Sequence, residues 1–185
     1  MKETMIILIL IGAIIMSACP DSAQNREIMP LLENPRIVIK KNQRLLRIFD
    51  GERLIKEYKI ALGFAPDGDK TTEGDGKTPE GKFYVFAKNP ESKFHLSLGL
   101  SYPNIEAARR GLKDKIISRE EFDATKTAIN EKRMPPQKTA LGGEIYIHGG
   151  GVETDWTQGC VALQNEEMRE IYETIPVGAT VEIRE

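Results

Sequence analysis

Two residues of this chain, Cys160 and His148, have the types and the spacing of a nucleophile and its base. They lie twelve positions apart, with Gly159 directly before the cysteine and three glycines, residues 149–151, directly after the histidine. A thiol attacks a carbonyl carbon only as the thiolate, and a histidine within hydrogen-bond reach can take its proton. A lone cysteine is also a common buried apolar residue, so the spacing alone leaves a structural role open.

The N-terminus resembles the signal peptide of a bacterial lipoprotein. Lys2 precedes an apolar run over residues 5–16, and the small residues Ser17 and Ala18 close that run before Cys19. The run is too short to cross a hydrocarbon core of ~30 Å as a helix. We expect residues 1–18 to be removed, Cys19 to carry lipid, and residues 19–34 to be a flexible tether; a short anchor or another cleavage site is the alternative.

This prediction changes the interpretation of Cys160. The chain holds two cysteines, and a lipid on Cys19 leaves Cys160 without a partner. Exported proteins usually pair their cysteines, so an unpaired one favours a reactive group. A structural zinc site would need two ligands besides Cys160 and His148, and the residues supply no second Cys-His pair. We therefore predict no metal and no cofactor.

Composition limits the classes of protein and of partner. Hydrophobic residues make up 40% of the chain, which is enough for a real core, and the length suits one domain, expected over residues 35–185. The formal net charge of −2 offers no basic surface for nucleic acid. We expect a monomer tied to a membrane only through its lipid.

The periodicity of the chain predicts a mainly β domain, a sandwich or a partly closed barrel. Dense charge and helical spacing over about residues 104–134 predict a helical insertion, with a capping box at Ser118 and Glu121. The insertion either covers part of an active-site groove or is a solvated excursion. A second helix should follow Cys160, capped at Asn165. Strands are expected at 36–40, 44–49, 54–62, 81–88, 93–100, 144–148 and 180–184.

The residues around these motifs resemble the YkuD-type L,D-transpeptidase catalytic domain family. The similarity spans about residues 35–185, and its most specific parts are the blocks at 141–149 and 157–161, supported by 74–83 and 101–104. The resemblance implies a mainly β (α+β) fold, a YkuD-like β-sandwich. It also implies an enzyme that acts on peptidoglycan stem peptides in the cell envelope through a cysteine thioester. An amine then gives a 3–3 cross-link, D-amino-acid exchange or protein attachment, and water gives hydrolysis.

Carried over by position, the resemblance assigns a role to each motif residue. Cys160 is the nucleophile, His148 the proton acceptor and donor, and Gly149 the residue whose backbone carbonyl orients the imidazole. The backbone N–H groups of Gly159 and Cys160 are the expected oxyanion donors, because negative charge develops beside the nucleophile's own amide. Substrate contacts are expected from the side chains of Tyr102, Trp156 and Gln158, with Tyr102 alternatively in the core.

Two departures from the family pattern leave the fate of the thioester open. Many relatives have histidine where Gln158 stands, and arginine or asparagine where Ala162 stands. We expect transpeptidation, with L,D-carboxypeptidase or endopeptidase hydrolysis as one alternative and an inactive peptidoglycan-binding lipoprotein as another. The expected location is the cell envelope, anchored to a membrane and facing the periplasm or another extracytoplasmic space.

Overall fold

The computed structural model describes residues 31–185 of the chain. The signal peptide predicted for residues 1–18, the lipidation site Cys19 and most of the tether lie outside the described residues. Within the described part, none of the helices combines the length and the apolar character needed to cross a membrane.

Eight strands form one curled sheet in the order β3-β2-β1-β8-β4-β5-β6-β7. All neighbouring pairs are antiparallel except β1 with β8 and β6 with β7. The strands are β1 Pro35–Lys40, β2 Leu45–Asp50, β3 Arg53–Lys59, β4 Gly81–Ser92, β5 His95–Leu100, β6 Tyr146–His148, β7 Val161–Ala162 and β8 Thr180–Arg184.

The long strand β4 lets the sheet curl into two packed halves. Its first residues, Gly81 to Tyr84, pair with β8 along one edge of β4. The stretch from Val85 to Ser92 pairs with β5 along the opposite edge. Apolar side chains of the strands fill the space between the halves, and they are fully buried. Examples are Ile37, Ile39, Leu46, Ile48, Leu98, Leu100 and Ile147.

Within residues 31–185, three α-helices complete the fold: α1 Ile105–Lys113, α2 Arg119–Asn130 and α3 Asn165–Thr174. At the start of α2 the Ser118 hydroxyl accepts from the Glu121 N–H at 3.2 Å, and the Glu121 carboxylate accepts from the Ser118 N–H at 2.8 Å. This is the predicted capping box, because each side chain satisfies a backbone donor of the other. The mainly β fold with a helical insertion and a helix after Cys160 is confirmed.

Several boundaries differ from the sequence prediction. The third strand ends at Lys59, and β7 was not predicted. β7 is only two residues long, and it exists through its parallel pairing with β6. The helix α3 is capped at Gln164, so Asn165 is its first residue and not its cap.

Candidate active site

The sheet topology brings His148 and Cys160 to one cleft. His148 is the last residue of β6, and Cys160 directly precedes β7, which pairs with β6 so that His148 lies opposite Ala162. A loop spans the twelve positions from His148 to Cys160, and β7 then runs parallel to β6. Both side chains line a cleft of about 1230 Å³.

The Cys160 thiol is held by the backbone at the start of β6. Its Sγ accepts from the Tyr146 N–H at 3.4 Å, and the thiol donates to the Glu144 carbonyl at 3.4 Å. Burial raises the pKa of the Cys160 thiol to about 11, and the Tyr146 N–H only partly offsets this. The resting cysteine is therefore protonated at neutral pH.

The His148 imidazole is almost fully buried and is anchored through Nδ1. Its relative exposure is 3%, and Nδ1 lies 2.5 Å from the Gly149 carbonyl oxygen. A carbonyl can only accept, so Nδ1 carries the proton and Nε2 is left as the basic nitrogen. Burial lowers the pKa of His148, and the Gly149 carbonyl opposes that shift.

These two pKa shifts define the resting state of the pair. Burial favours the neutral form of both groups, so a neutral thiol lies in the same cleft as a neutral imidazole. No hydrogen bond joins the imidazole to the thiol within residues 31–185. The geometry suits general-base activation, in which the histidine takes the proton as the sulfur attacks, over a permanent thiolate-imidazolium pair.

Two aromatic side chains enclose His148. Phe94 stacks on the imidazole, with ring centroids 4.8 Å apart and planes 24° apart, and Trp156 meets it edge-on at 5.5 Å. The Trp156 indole N–H donates to the Gly151 carbonyl at 3.2 Å, which fixes the ring over the loop. Sequence reasoning missed Phe94, because it comes from the turn between β4 and β5, far from the motif along the chain.

The two predicted oxyanion donors are not equivalent. The Gly159 N–H donates to the Thr157 hydroxyl at 3.1 Å, and that hydroxyl donates to the Cys160 carbonyl at 2.7 Å. Thr157 therefore ties together the turn that ends at Cys160. The Cys160 N–H has no hydrogen-bond partner in the described part of the chain, so it is the better placed of the two donors.

The remaining predicted site residues divide between the cleft and the core. Trp156 and Gln158 line the cleft with Cys160. Tyr102 is only 1% exposed, and its hydroxyl donates to the Leu141 carbonyl at 3.1 Å. Of the two alternatives for Tyr102, this placement favours the core, where its ring belongs to the main apolar cluster. The other histidine, His95, starts β5, and its Cβ packs beside Gly149.

A second chain segment braces the loop that joins His148 to Cys160. The Asp155 carboxylate accepts from the Leu62 N–H at 2.8 Å and from the Arg44 guanidinium at 2.7 Å. The Thr157 N–H donates to the Leu62 carbonyl, and the Phe64 N–H donates to the Thr157 carbonyl. Residues 61–64 thus run along the loop between His148 and Cys160 and fix its position.

The cleft carries charge of both signs. Its lining includes the basic side chains of Lys70, Lys93 and Lys138 and the acidic side chains of Glu73, Glu91, Glu121 and Glu144. The described residues contain no cluster of three or more histidine, cysteine or acidic side chains suited to hold a metal ion. The helical insertion contributes Glu121 to the lining, and residues 137–144 contribute more of it.

Two solved structures share this fold. The helical cell shape determining protein Pgp2 from Campylobacter jejuni is 25% identical, with a TM-score of 0.59 over 86% of this chain and 52% of that one. Bd1075 from Bdellovibrio bacteriovorus is 22% identical, with a TM-score of 0.54 over 85% of this chain and 51% of that one. The chain spans about half the length of these proteins. No curated protein matches it.

A sequence profile of the YkuD family, described as the L,D-transpeptidase catalytic domain, matches residues 34–183. That stretch is most of the chain, and it contains strands β1 to β7, all but the last residue of β8, and the His148 and Cys160 cleft. The chain therefore belongs to the YkuD family of L,D-transpeptidase catalytic domains.

Proposed function

We propose that this protein is a peptidoglycan L,D-transpeptidase that works through a thioester on Cys160. The observation that carries the proposal is the shared cleft, in which a thiol lies with a histidine whose Nδ1 is anchored and whose Nε2 is left to act as a base. Membership of the family supports a cysteine-dependent acyl transfer on peptidoglycan peptides.

The first half of the reaction makes the thioester. His148 Nε2 takes the thiol proton as Sγ attacks the carbonyl carbon of the third residue of a stem tetrapeptide, and the carbonyl oxygen becomes negative. The Cys160 N–H stabilises that oxygen. The tetrahedral intermediate collapses, the imidazolium gives its proton to the leaving D-alanine nitrogen, and the thioester remains.

The second half transfers the acyl group. An amine enters the cleft, His148 removes its proton as it attacks the thioester carbon, and the sulfur leaves as thiolate. The imidazolium then returns the proton to Cys160, so the enzyme ends in its starting state. Cys160 and His148 are both neutral at rest, so in each half-reaction His148 takes up one proton and later gives it up. A single base of lowered pKa suits that task.

The charges of the cleft fit a peptide that carries both carboxylates and an amine. Lysine ammonium groups, including that of Lys138, can pair with substrate carboxylates. Carboxylates such as those of Glu73 and Glu121 can receive an acceptor amine. A cleft of this size can hold a donor and part of an acceptor together, and such positioning is what favours transfer over hydrolysis.

Product analysis of the purified full chain with tetrapeptide stems tests the proposal. We expect dimers joined 3–3 when a stem amine is present in excess, and exchange of the fourth residue when a D-amino acid is added. Mass spectrometry distinguishes both from the tripeptide. Tripeptide as the sole product would make the protein a hydrolase, and no turnover of any stem peptide would leave an inactive peptidoglycan-binding protein.

One observation favours the hydrolase as the second candidate. Ala162 is fully buried beside Ala61 and Val152 and does not line the cleft, so this position supplies no group that could hold an acceptor. Cys160 is partly exposed at the cleft floor, which gives water access to the thioester. A weaker hold on the acceptor would raise the share of hydrolysis.

We also propose that the protein acts in the cell envelope as a lipid-anchored protein, and that its action on the wall affects cell shape. Support comes from the sequence around Cys19 and from the likeness to Pgp2, a helical cell shape determining protein. In membrane fractionation, Cys19→Ala should move the protein to the soluble fraction and keep its turnover. An equally membrane-bound Cys19→Ala protein would contradict the lipid anchor.

A further inference from the structure

A single peptide group lies between His148 and helix α3. The carbonyl of Gly149 and the N–H of Gly150 belong to the same planar amide, so they point in opposite directions. The carbonyl oxygen lies 2.5 Å from His148 Nδ1, and the N–H donates to Asn165 Oδ1 at 3.0 Å. Whatever holds the N–H therefore also sets the direction of the carbonyl that anchors the imidazole.

This peptide has little else to fix its orientation. It joins two glycines, which resist rotation less than any other residue, and Gly150 has a φ of +115°. The neighbouring Gly149 N–H makes only a long hydrogen bond, 3.4 Å, to the Leu96 carbonyl. The Asn165 side chain packs closely here, since a Cβ built on Gly149 would come within 2.4 Å of Asn165 Oδ1.

Asn165 is in turn held by a rigid element. It is the first residue of α3, whose Met168 and Ile171 side chains are fully buried in the core. The Glu167 carboxylate accepts from the Gln164 N–H at 3.2 Å, so the start of the helix is capped without the Asn165 side chain. That side chain is consequently available to the loop.

We propose that Asn165 is a positioning residue for His148. Its side-chain oxygen fixes the Gly149–Gly150 peptide, the Gly149 carbonyl then keeps the proton on Nδ1, and Nε2 stays directed to the cleft as the base. The use of that base in catalysis rests on the proposed function; the chain of hydrogen bonds does not.

Two substitutions and one control test this role in the full-length protein. Asn165→Ala removes the acceptor, whereas Asn165→Asp retains an oxygen at the same position. Glu166→Ala is the control, because Glu166 is an exposed acidic residue in the first turn of α3 that makes no contact with the loop hydrogen bonds. Thermal unfolding of all three reports any general weakening of the helix.

We expect Asn165→Ala to lower kcat/KM on tetrapeptide stems roughly three- to tenfold, the effect of one lost net hydrogen bond. It should also lower the pKa of His148, measured by NMR titration of the imidazole, because the Gly149 carbonyl stabilises the imidazolium form. Asn165→Asp should keep kcat/KM close to that of the wild type and should not lower the pKa of His148, because its added negative charge favours the imidazolium form. Glu166→Ala should change neither property.

Two results would overturn the proposal. One is a His148 titration that is unchanged in Asn165→Ala. The other is a loss of activity in Glu166→Ala equal to that in Asn165→Ala, which would assign the effect to the helix. The titration needs no substrate, so a wild-type protein that turns over no stem peptide would refute the proposed function and leave the positioning role to be decided by NMR.

Discussion

Replacing Cys160 by alanine is expected to abolish turnover of stem peptides, with a fall in kcat of at least about 10⁴-fold. His148→Ala should cost nearly as much, because the resting thiol is protonated and burial raises its pKa to about 11. Without the imidazole, almost no thiolate forms at neutral pH. The double variant should be no worse than either single one, since a nucleophile and its base act as a unit.

The measurement is single-turnover formation of the acyl-enzyme, followed by mass spectrometry of the intact protein. A covalent adduct should appear on the wild type and be absent from both variants, while thermal unfolding shows that the fold is retained. Near-wild-type turnover in Cys160→Ala, or losses that simply add, would contradict the mechanism.

Local sequence signals were enough to predict that His148 and Cys160 meet in one cleft. His148, Gly149 and Cys160 lie in two short motifs, and the structure brings the thiol and the imidazole to one site through the pairing of β6 with β7. The capping box of Ser118 was equally predictable, because both of its hydrogen bonds span only three residues. Their roles in catalysis remain predictions.

Long-range contacts were not predictable in this way. Phe94 reaches His148 from the turn between β4 and β5, and Asp155 is braced by Arg44 from the turn between β1 and β2. For Tyr102 the sequence left the cleft and the core open, and its ring lies in the core. Such placements depend on how the sheet curls, and no local pattern of residues encodes that curl.

Gly159 illustrates how one motif residue can be needed for a reason other than the one that its position suggests. The sequence predicted that its N–H is an oxyanion donor, but in the structure that N–H donates to the Thr157 hydroxyl. Its φ of +127° and its packing give the residue a steric role. A Cβ at this position would lie 2.7 Å from the Lys77 carbonyl oxygen and 3.1 Å from the Ile145 side chain.

Gly159→Ala is therefore expected to distort the turn that holds Cys160 and to lower the free energy of unfolding. A non-glycine residue at such a φ costs about 1–3 kcal/mol in unfolding free energy, and the contact with the rigid Lys77 backbone adds to that cost. Because Cys160 is the next residue, a shift of even 1 Å moves the sulfur and should lower kcat about 10²-fold or more.

Gly51→Ala is the matched control for this change. Gly51 lies between β2 and β3, outside the cleft lining, and also has a positive φ, +58°, but a Cβ there would meet nothing within 4 Å, so only the conformational cost of about 1–2 kcal/mol applies. Urea unfolding and stem-peptide kinetics should then separate the two variants: both lose some stability, and only Gly159→Ala loses turnover. Equal activity of the two variants would contradict this argument. It would mean that the turn before Cys160 can accommodate a Cβ in spite of the close Lys77 carbonyl.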